Sequence, residues 1–307
     1  MDRPALPVRT PFRAGFVSLV GRPNAGKSTL LNRLCGEKLA IVSPRPHTTR
    51  NRITGIRNSA DAQIVFADTP GWERRSGLLG QFMTKIVERA LEDVDAVCLV
   101  VDASAERGPD AEAVELLERL PGPVFCCLNK VDLVRPKTRL LPLIETWRAA
   151  HKFREILPVS ALAGTNCDRV LELILELLPE HPAYFPTDRL TAEPETFYVA
   201  EVIREQVFHL TRQEIPYATA VRVEELVERA EPVCLYIRAS VFVEHESQKA
   251  IMIGRGGSQL KRIGTAARRA LEAFFGVKVF LALSVSVRRA WRKDERALRE
   301  FGFLLTS

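Results

Sequence analysis

Residues 21–29, with the sequence GRPNAGKST, combine two glycines with one lysine and two hydroxyl side chains. They fit the pattern G-x-x-x-x-G-K-[ST], whose successive backbone N–H groups wrap phosphates where a helix begins. A strand-like run, FVSLV, precedes this loop and a helix-like run follows it, as the pattern requires. We expect Lys27 to reach the β- and γ-phosphates and the Ser28 hydroxyl to bind Mg²⁺. The predicted phosphate contacts are Gly21, Arg22, Pro23, Asn24, Ala25, Gly26, Lys27, Ser28 and Thr29.

The sequence NKVD at residues 129–132 indicates which base the nucleotide carries. The Asp132 carboxylate can accept hydrogen bonds from N1–H and the 2-amino group of guanine, which adenine does not offer in that arrangement. We expect Asn129 to hold the loop and the Lys130 stem to pack along the purine face. At residues 160–161, a backbone N–H is expected to read guanine O6. The predicted base contacts are Asn129, Lys130, Val131, Asp132, Ser160 and Ala161.

The sequence DTPG at residues 68–71 ends the apolar run AQIVFA. We expect Asp68 to hold Mg²⁺ through water and the Gly71 N–H to sense the γ-phosphate. The predicted contacts in this segment are Asp68, Thr69, Pro70 and Gly71.

The segment PHTTRNRITG lies between the first loop and DTPG. We choose Thr49 over Thr48 as the residue that completes Mg²⁺ coordination when a γ-phosphate is present. The predicted metal ligands are Ser28, Thr49 and Asp68, and the groups predicted to act in hydrolysis are Lys27, Thr49 and Gly71. Four motifs in this order, each at the carboxyl end of a strand, predict a guanine-nucleotide switch.

Trp72 follows DTPG, where many GTPases place a glutamine that orients the attacking water. An indole cannot do this, so we expect either slow hydrolysis or another group that positions the water. GTPases with a similar PNxGKS loop use its asparagine to help bind K⁺, and Asn24 therefore suggests a K⁺ site as a hypothesis.

A second glycine loop, IGRGG at residues 253–257, lacks the lysine–hydroxyl pair and joins two predicted helices. A G-x-x-G loop between helices is typical of KH modules, which clamp about four nucleotides of single-stranded RNA by their backbone. The predicted RNA contacts are Ile253, Gly254, Arg255, Gly256, Gly257, Lys261 and Arg262.

The distribution of charge agrees with this interpretation. From Val241 onward the chain carries 13 lysines and arginines against 6 acidic residues, a balance of +7. The other 240 residues balance at −1, so the net basicity of the chain lies in its last fifth. Such asymmetry indicates a polyanion-binding end.

The elements that position these residues fall into two groups. Between residues 16 and 178, apolar strands alternate with helical patterns, which predicts an α/β P-loop GTPase domain with a mostly parallel sheet and helices on both faces. Four prolines within 179–194 indicate a linker. The remainder reads α-β-β-α-α-β, an α+β KH-type domain. We predict a flexible extension at 1–14, a GTPase domain at 15–179, a linker at 180–195 and a type II KH domain with a basic tail at 196–307.

Composition limits the other classes of function. No apolar run approaches the ~20 residues of a membrane helix. The six cysteines show no CxxC pairing and several lie in apolar runs, so we expect buried free thiols and assign no zinc site.

The chain resembles the Era family of bacterial GTPases. The residues that carry the resemblance are GRPNAGKSTLLN, PHTTRNRITGI, DTPG, NKVD, SAL, the linker PAYFPTDRLTAEPETFYVAEVIRE, IMIGRGGSQLKRIG and the terminal WRKDERALREFGF. His47 stands where a glutamine is usual and Trp72 where an aliphatic residue is commoner, and the N-terminal extension has no counterpart.

The resemblance implies a GTPase of slow turnover with GTP or GDP and Mg²⁺ as ligands. It implies that the KH module binds the 3′ region of small-subunit ribosomal RNA during 30S subunit maturation, with GTP favouring the RNA-competent arrangement. A cytoplasmic monomer is expected, with a peripheral inner-membrane association implied by the family alone.

Two other functions stay open at this point. An RNA-modifying enzyme on a similar GTPase domain would need a cysteine or cofactor site beside the RNA groove, and Cys234 in an apolar strand argues against it. A membrane-associated cell-cycle regulator that does not bind RNA would leave the G-x-x-G loop and the basic end without a role.

Overall fold

The computed structural model describes residues 11–73, 76–105, 107–231 and 233–303. Within these ranges, six strands form the first sheet, in the order β2-β3-β1-β4-β5-β6. All neighbouring pairs are parallel except β2 and β3, which are antiparallel. The strands are β1 Arg13–Val20, β2 Ile53–Asn58, β3 Ala62–Asp68, β4 Ala96–Asp102, β5 Val124–Asn129 and β6 Glu155–Pro158.

Helices cover both faces of this sheet. One face packs leucines of α1 and residues such as Val170 and Ile174 of α5, and the other packs Leu116 of α3 and Trp147 of α4. Every residue of β5 is buried, as expected of a central parallel strand covered on both sides. The helices are α1 Lys27–Cys35, α2 Leu78–Arg89, α3 Ala111–Arg119, α4 Leu140–Ala150 and α5 Cys167–Leu177. The predicted P-loop fold is confirmed.

The second half has the predicted α-β-β-α-α-β order with two additional short helices, one before the first strand and one after the last. Strands β7 and β8 are antiparallel, and β9 joins β8 in parallel. Ile203 of α6 and Ala267 and Leu271 of α9 pack on Ile237 of the sheet. The elements are α6 Glu195–Leu210, α7 Ile215–Ala218, β7 Ala220–Ala230, β8 Val233–Val243, α8 Glu246–Ile253, α9 Ser258–Phe275, β9 Val279–Val287 and α10 Glu295–Glu300.

The proline-rich segment between the domains runs along the outer edge of the first sheet. The Gln63 side chain accepts hydrogen bonds from the backbone N–H groups of Tyr184 (2.8 Å) and Phe185 (3.0 Å). Thr191 Oγ1 donates to the Thr54 carbonyl at 2.6 Å. The segment is therefore tied to the sheet, although its prolines keep it out of regular structure.

Two boundaries differ from the predicted ones. Strand β1 begins at Arg13, so the last two residues of the predicted extension at 1–14 belong to the sheet, while residues 1–10 lie outside the described residues. Helix α6 begins at Glu195, one residue earlier than predicted.

The terminal segment carries the predicted charge but is folded. Trp291 is fully buried and donates from its indole nitrogen to the Ala218 carbonyl at 2.8 Å. Phe301 and Phe303 join it in an apolar cluster with Phe82 and neighbouring residues of α2. The tail thus packs the KH domain onto the GTPase domain, which its charge pattern did not indicate.

In the described ranges, no helix is both long and apolar enough to cross a membrane. All six cysteines are free thiols there, and five are buried.

Candidate nucleotide site and RNA interface

The carboxyl ends of the parallel strands bring the predicted nucleotide contacts to one edge of the sheet. The first loop follows β1, DTPG ends β3, NKVD follows β5 and the SA segment follows β6. Such an edge is where open α/β sheets bind ligands.

The first glycine loop is closed around its own lysine. Lys27 is buried, and its ammonium donates to the carbonyls of Gly21 and Arg22, both at 3.0 Å. Gly26 has φ +94°, and a Cβ there would lie 2.3 Å from Asn129 Nδ2. Only glycine therefore allows the loop and the NKVD segment to approach this closely.

Three side-chain oxygens meet beside this loop. Ser28 Oγ donates to Asp68 Oδ2 at 2.6 Å and lies 2.8 Å from Thr49 Oγ1, which is 3.4 Å from the same carboxylate oxygen. Thr48 instead donates to the Arg45 carbonyl, so the structure brings Thr49 rather than Thr48 to the predicted metal ligands.

Asp68 has the properties of a cation ligand. Burial raises the pKa of its carboxyl to about 6, against the opposing effects of Lys27 and of hydrogen bonds from Ser28 and Thr49. Within the described residues, its Oδ1 has no hydrogen-bond partner. A buried carboxylate with an unpaired oxygen and two adjacent hydroxyls fits Mg²⁺, which prefers oxygen ligands.

The base-recognition segments are joined by Asn129. Its Nδ2 donates to the Ala25 carbonyl at 2.9 Å, and its Oδ1 accepts from the Ala161 N–H at 2.9 Å. Asp132 accepts a hydrogen bond from Ser160 Oγ at 2.6 Å, which orients the carboxylate. The three predicted segments therefore form one bonded unit.

Both backbone N–H groups that could read guanine O6 already donate to other acceptors in this structure. The Ser160 N–H donates to the Thr165 carbonyl at 3.1 Å, and the Ala161 N–H donates to Asn129. Either group would have to share or exchange its acceptor to read O6, so this contact stays a prediction. The Ser160 hydroxyl contact with Asp132 was not predicted, since only the serine's backbone was considered.

The second glycine loop presents its predicted RNA contacts on an open surface. Gly256 and Gly257 have φ +58° and +78°, and a Cβ at either would meet nothing within 4 Å in the described residues. Arg255, Lys261 and Arg262 are exposed on the same loop and on the first turns of α9, while Ile253 and Gly254 are partly buried. Gln259 anchors the loop to α6 by donating to the Leu210 carbonyl at 2.5 Å. Ile263 packs in the core of this domain, whereas Ile251 is mostly exposed.

Two family models match the chain. One is described as a 50S ribosome-binding GTPase and matches residues 16–130, and the other is described as a KH domain and matches residues 214–292. The GTPase Era of Geobacter metallireducens is 48% identical over 294 residues, covering 95% of this chain and 98% of that protein. The chain belongs to the Era family of GTPases.

Solved Era structures share the whole architecture. An Era structure in complex with MgGDPNP and nucleotides 1506–1542 of 16S ribosomal RNA matches with a TM-score of 0.92 and 39% identity, covering 96% of this chain and all of the other. A tyrosine-to-alanine variant of Aquifex aeolicus Era bound to GDP and AlF₄⁻ matches with a TM-score of 0.92, 38% identity and the same coverage. The predicted family and GTPase activity are confirmed.

In this Era-family chain, Trp72 faces away from the phosphate site. It is buried among the residues under α3 and α4, its indole nitrogen donates to the Glu112 carbonyl at 3.1 Å, and Arg119 lies 5.4 Å from its ring centroid. Its backbone N–H donates to the Gly21 carbonyl at 3.0 Å. Trp72 therefore ties DTPG to the P-loop through its backbone, while its indole packs among apolar side chains.

The segment that contains Thr49 is held by the KH domain. The Arg50 guanidinium donates to the carbonyls of Thr219 (2.7 Å), Pro216 (2.8 Å) and Tyr217 (3.1 Å), around α7. Arginine suits such a place because its several donors point in fixed directions.

Buried charges on α6 hold the same segment from the other side. Glu205 accepts from the Val42 N–H at 3.0 Å and pairs with Lys38 at 2.7 Å. Arg204 is bonded to Glu201 and to the Thr48 carbonyl. These residues were not predicted, although Glu201, Arg204 and Glu205 stand at the i, i+3 and i+4 spacing that places three charges on one side of α6.

Asp102 is a further residue of the site that was not predicted from the sequence. It ends β4 directly beside Asn129 in the sheet register, and it pairs with Lys130 at 2.7 Å. A carboxylate at the end of a parallel strand next to NKVD was the available signal.

Proposed function

We propose that this Era-family GTPase binds the 3′ region of small-subunit ribosomal RNA through its KH domain and acts in 30S subunit maturation. The observation that carries the proposal is the open side of the second glycine loop, where a Cβ at Gly256 or Gly257 would meet nothing within 4 Å in the described residues and exposed basic side chains lie nearby. The relative that shares 39% of its sequence and the full fold holds 16S ribosomal RNA nucleotides together with MgGDPNP.

The phosphate site suggests how GTP is bound and hydrolysed. We infer that Lys27 and the loop N–H groups hold the phosphates, that Ser28, Thr49 and Asp68 are the residues that would hold Mg²⁺, and that the Gly71 N–H senses the γ-phosphate. Mg²⁺ supplies neutralisation of the charge on the phosphate oxygens. Asp132, oriented by Ser160, selects guanine.

The contacts of the Thr49 segment support coupling between nucleotide and RNA. Thr49 lies at the predicted metal site, while its neighbour Arg50 bonds to α7 and Thr48 bonds to α6. A change at Thr49 on loss of the γ-phosphate would therefore act on the KH domain through the hydrogen bonds made by the residues on either side of Thr49.

We infer that hydrolysis is slow unless another group positions the water, since Trp72 is buried away from the phosphates. Asn24 is exposed at the mouth of the loop with φ 61°, which leaves its side chain able to bind K⁺. Turnover measured in equal concentrations of KCl and NaCl tests this, and equal rates would exclude a K⁺ site.

Three finer inferences rest on the family. We infer a cytoplasmic location, a monomer in solution and a peripheral contact with the inner membrane. Light scattering of the purified protein tests the monomer, and co-sedimentation with anionic vesicles tests the membrane contact.

The deciding experiment is crosslinking of the protein to RNA in cells, followed by sequencing of the bound RNA. Reads concentrated at the 3′ end of small-subunit ribosomal RNA are expected, and they should decline in a Gly257→Asp variant. Reads spread over unrelated RNAs, equally in both proteins, would contradict the proposal.

A further inference from the structure

The ammonium of Lys130 is bonded to a residue that is not among the predicted nucleotide contacts. Lys130 follows β5 in the left-handed conformation, with φ 65°. Its Nζ lies 2.7 Å from Asp102 Oδ2, at the end of the neighbouring strand β4. The side chain therefore extends across the gap between the two strand ends.

Asp102 is itself held in place by two bonds to its other oxygen. Its Oδ1 accepts from the Ser104 N–H at 3.0 Å and from Ser104 Oγ at 2.5 Å. The sheet register sets Asp102 beside Asn129, the residue before Lys130. These bonds orient the Asp102 carboxylate independently of Lys130.

The stem of Lys130 passes beside the phosphate loop. A Cβ built on Gly26 would lie 4.0 Å from Lys130 Cε, and the same glycine is the one that contacts Asn129. The end of the stem therefore lies between the P-loop and Asp102, next to the residues that are predicted to contact the base.

We propose that Asp102 is a positioning residue for guanine binding: it holds the Lys130 ammonium so that the methylene stem forms one wall of the base pocket. This inference rests on guanine-nucleotide binding at this site. A free lysine loses considerable rotamer freedom when it is ordered against a ligand, and an anchored lysine has lost it already. The anchor therefore tightens nucleotide binding without contacting the nucleotide.

The test is a double-mutant cycle on GDP affinity with Asp102→Asn and Lys130→Met. Asparagine keeps the oxygen that accepts from Ser104 and removes the charged partner of Lys130. We expect Asp102→Asn to weaken GDP binding by about three- to tenfold, the range expected for ordering one flexible side chain. Most of the change should appear in a faster dissociation rate.

In the Lys130→Met background, the Asp102→Asn change should have no further effect on GDP affinity, because methionine has no ammonium to anchor. Additive effects of the two changes would overturn the proposal, and so would unchanged GDP affinity in Asp102→Asn. Thermal unfolding of nucleotide-free proteins separates positioning from a general loss of stability, which would lower affinity in both backgrounds alike.

Glu145→Gln is the matched control. It removes the same charge from an exposed pair with Arg148 on α4 and should leave GDP affinity unchanged. Failure of this proposal can be distinguished from failure of the guanine site itself. If the guanine site were wrongly assigned, Asp132→Asn would leave the selectivity for guanine unchanged, independently of any effect of Asp102→Asn.

Discussion

The two glycine loops of this protein need glycine for different reasons. In the first loop, a side chain at Gly26 would meet Asn129 at 2.3 Å, so the restriction comes from the protein itself. In the second loop, Gly256 and Gly257 face open space, and only their positive φ values disfavour other residues. A loop packed against its own fold encloses a small ligand, whereas a loop open on one side suits a polymer whose ends extend beyond it.

The difference also appears in the charged groups. Lys27 of the first loop is buried and bonded to loop carbonyls, while Arg255, Lys261 and Arg262 of the second loop are exposed. We therefore expect nucleotide binding to depend on exact packing and RNA binding to depend mainly on charge and salt.

The largest effect is expected from Gly26→Ala. The new methyl group must displace Asn129 and adopt φ +94°, at a cost of several kcal/mol. GDP affinity, measured by fluorescence titration, should fall at least about 100-fold. Gly36→Ala is the control. Gly36, at the end of α1, also has a positive φ of +81°, but a Cβ there would lie 3.4 Å from Arg57 Nη1, which is an ordinary contact distance. Comparable loss of GDP affinity in both variants would contradict the packing argument.

Asp132→Asn should change the choice of base. The amide cannot accept hydrogen bonds from both guanine N–H groups, so the affinity for GTP should fall by about 10- to 100-fold and the affinity for xanthosine triphosphate should rise. Competition binding with the two nucleotides measures the ratio. RNA affinity provides the control, because the second loop is remote from the base. Unchanged preference for GTP would show that another group reads guanine.

Gly257→Asp should act on the second loop alone. A carboxylate at this open position repels phosphates, so RNA affinity should fall by about tenfold or more at low salt. GDP affinity should be unchanged, which is the internal control. An RNA isotherm equal to that of the unmodified protein at two ionic strengths would argue against RNA binding by this loop.

Glu205→Ala should weaken the coupling between the bound nucleotide and the affinity of the protein for RNA. It leaves the Val42 N–H without its buried acceptor, so the segment before Thr49 loses one of its hydrogen bonds to α6, while the bond from Arg204 to the Thr48 carbonyl remains. The ratio of RNA affinities with GDPNP and with GDP should change by about threefold. Lys38→Met is the matched control, because it removes the ion pair and keeps the Val42 bond. A ratio that shifts in neither variant would place the coupling elsewhere.

The smallest effect is expected from Gly257→Ala. The methyl group enters open space, so only the positive φ is unfavourable, at about 1 kcal/mol in the free energy of unfolding. Chemical denaturation measures this, and GDP affinity should stay the same. A loss of GDP affinity like that of Gly26→Ala would remove the distinction between the two loops.

Local patterns predicted most of the fold and of the site. The two glycine-loop motifs and the order of the elements around them predicted both domains, because each motif depends on residues adjacent in sequence. Where contacts join distant residues, the patterns failed. The sequence indicated that the indole of Trp72 cannot orient water, but not that Trp72 is buried, because its burial under α3 depends on the helix that covers the sheet. The terminal segment was interpreted from its charge, and its aromatic contacts with α2 were missed.

The amino-acid sequence by itself predicted the chemistry, namely which loop wraps phosphates, which carboxylate reads guanine and which loop faces RNA, because these predictions depend on glycine, lysine and aspartate at short spacings. Only the tertiary structure decided how these parts are held together, as in the anchoring of Lys130 by Asp102 and the bond from Val42 to Glu205, 163 residues away. The physical reason is that strand order and domain packing determine which distant side chains meet, and no local pattern contains that information.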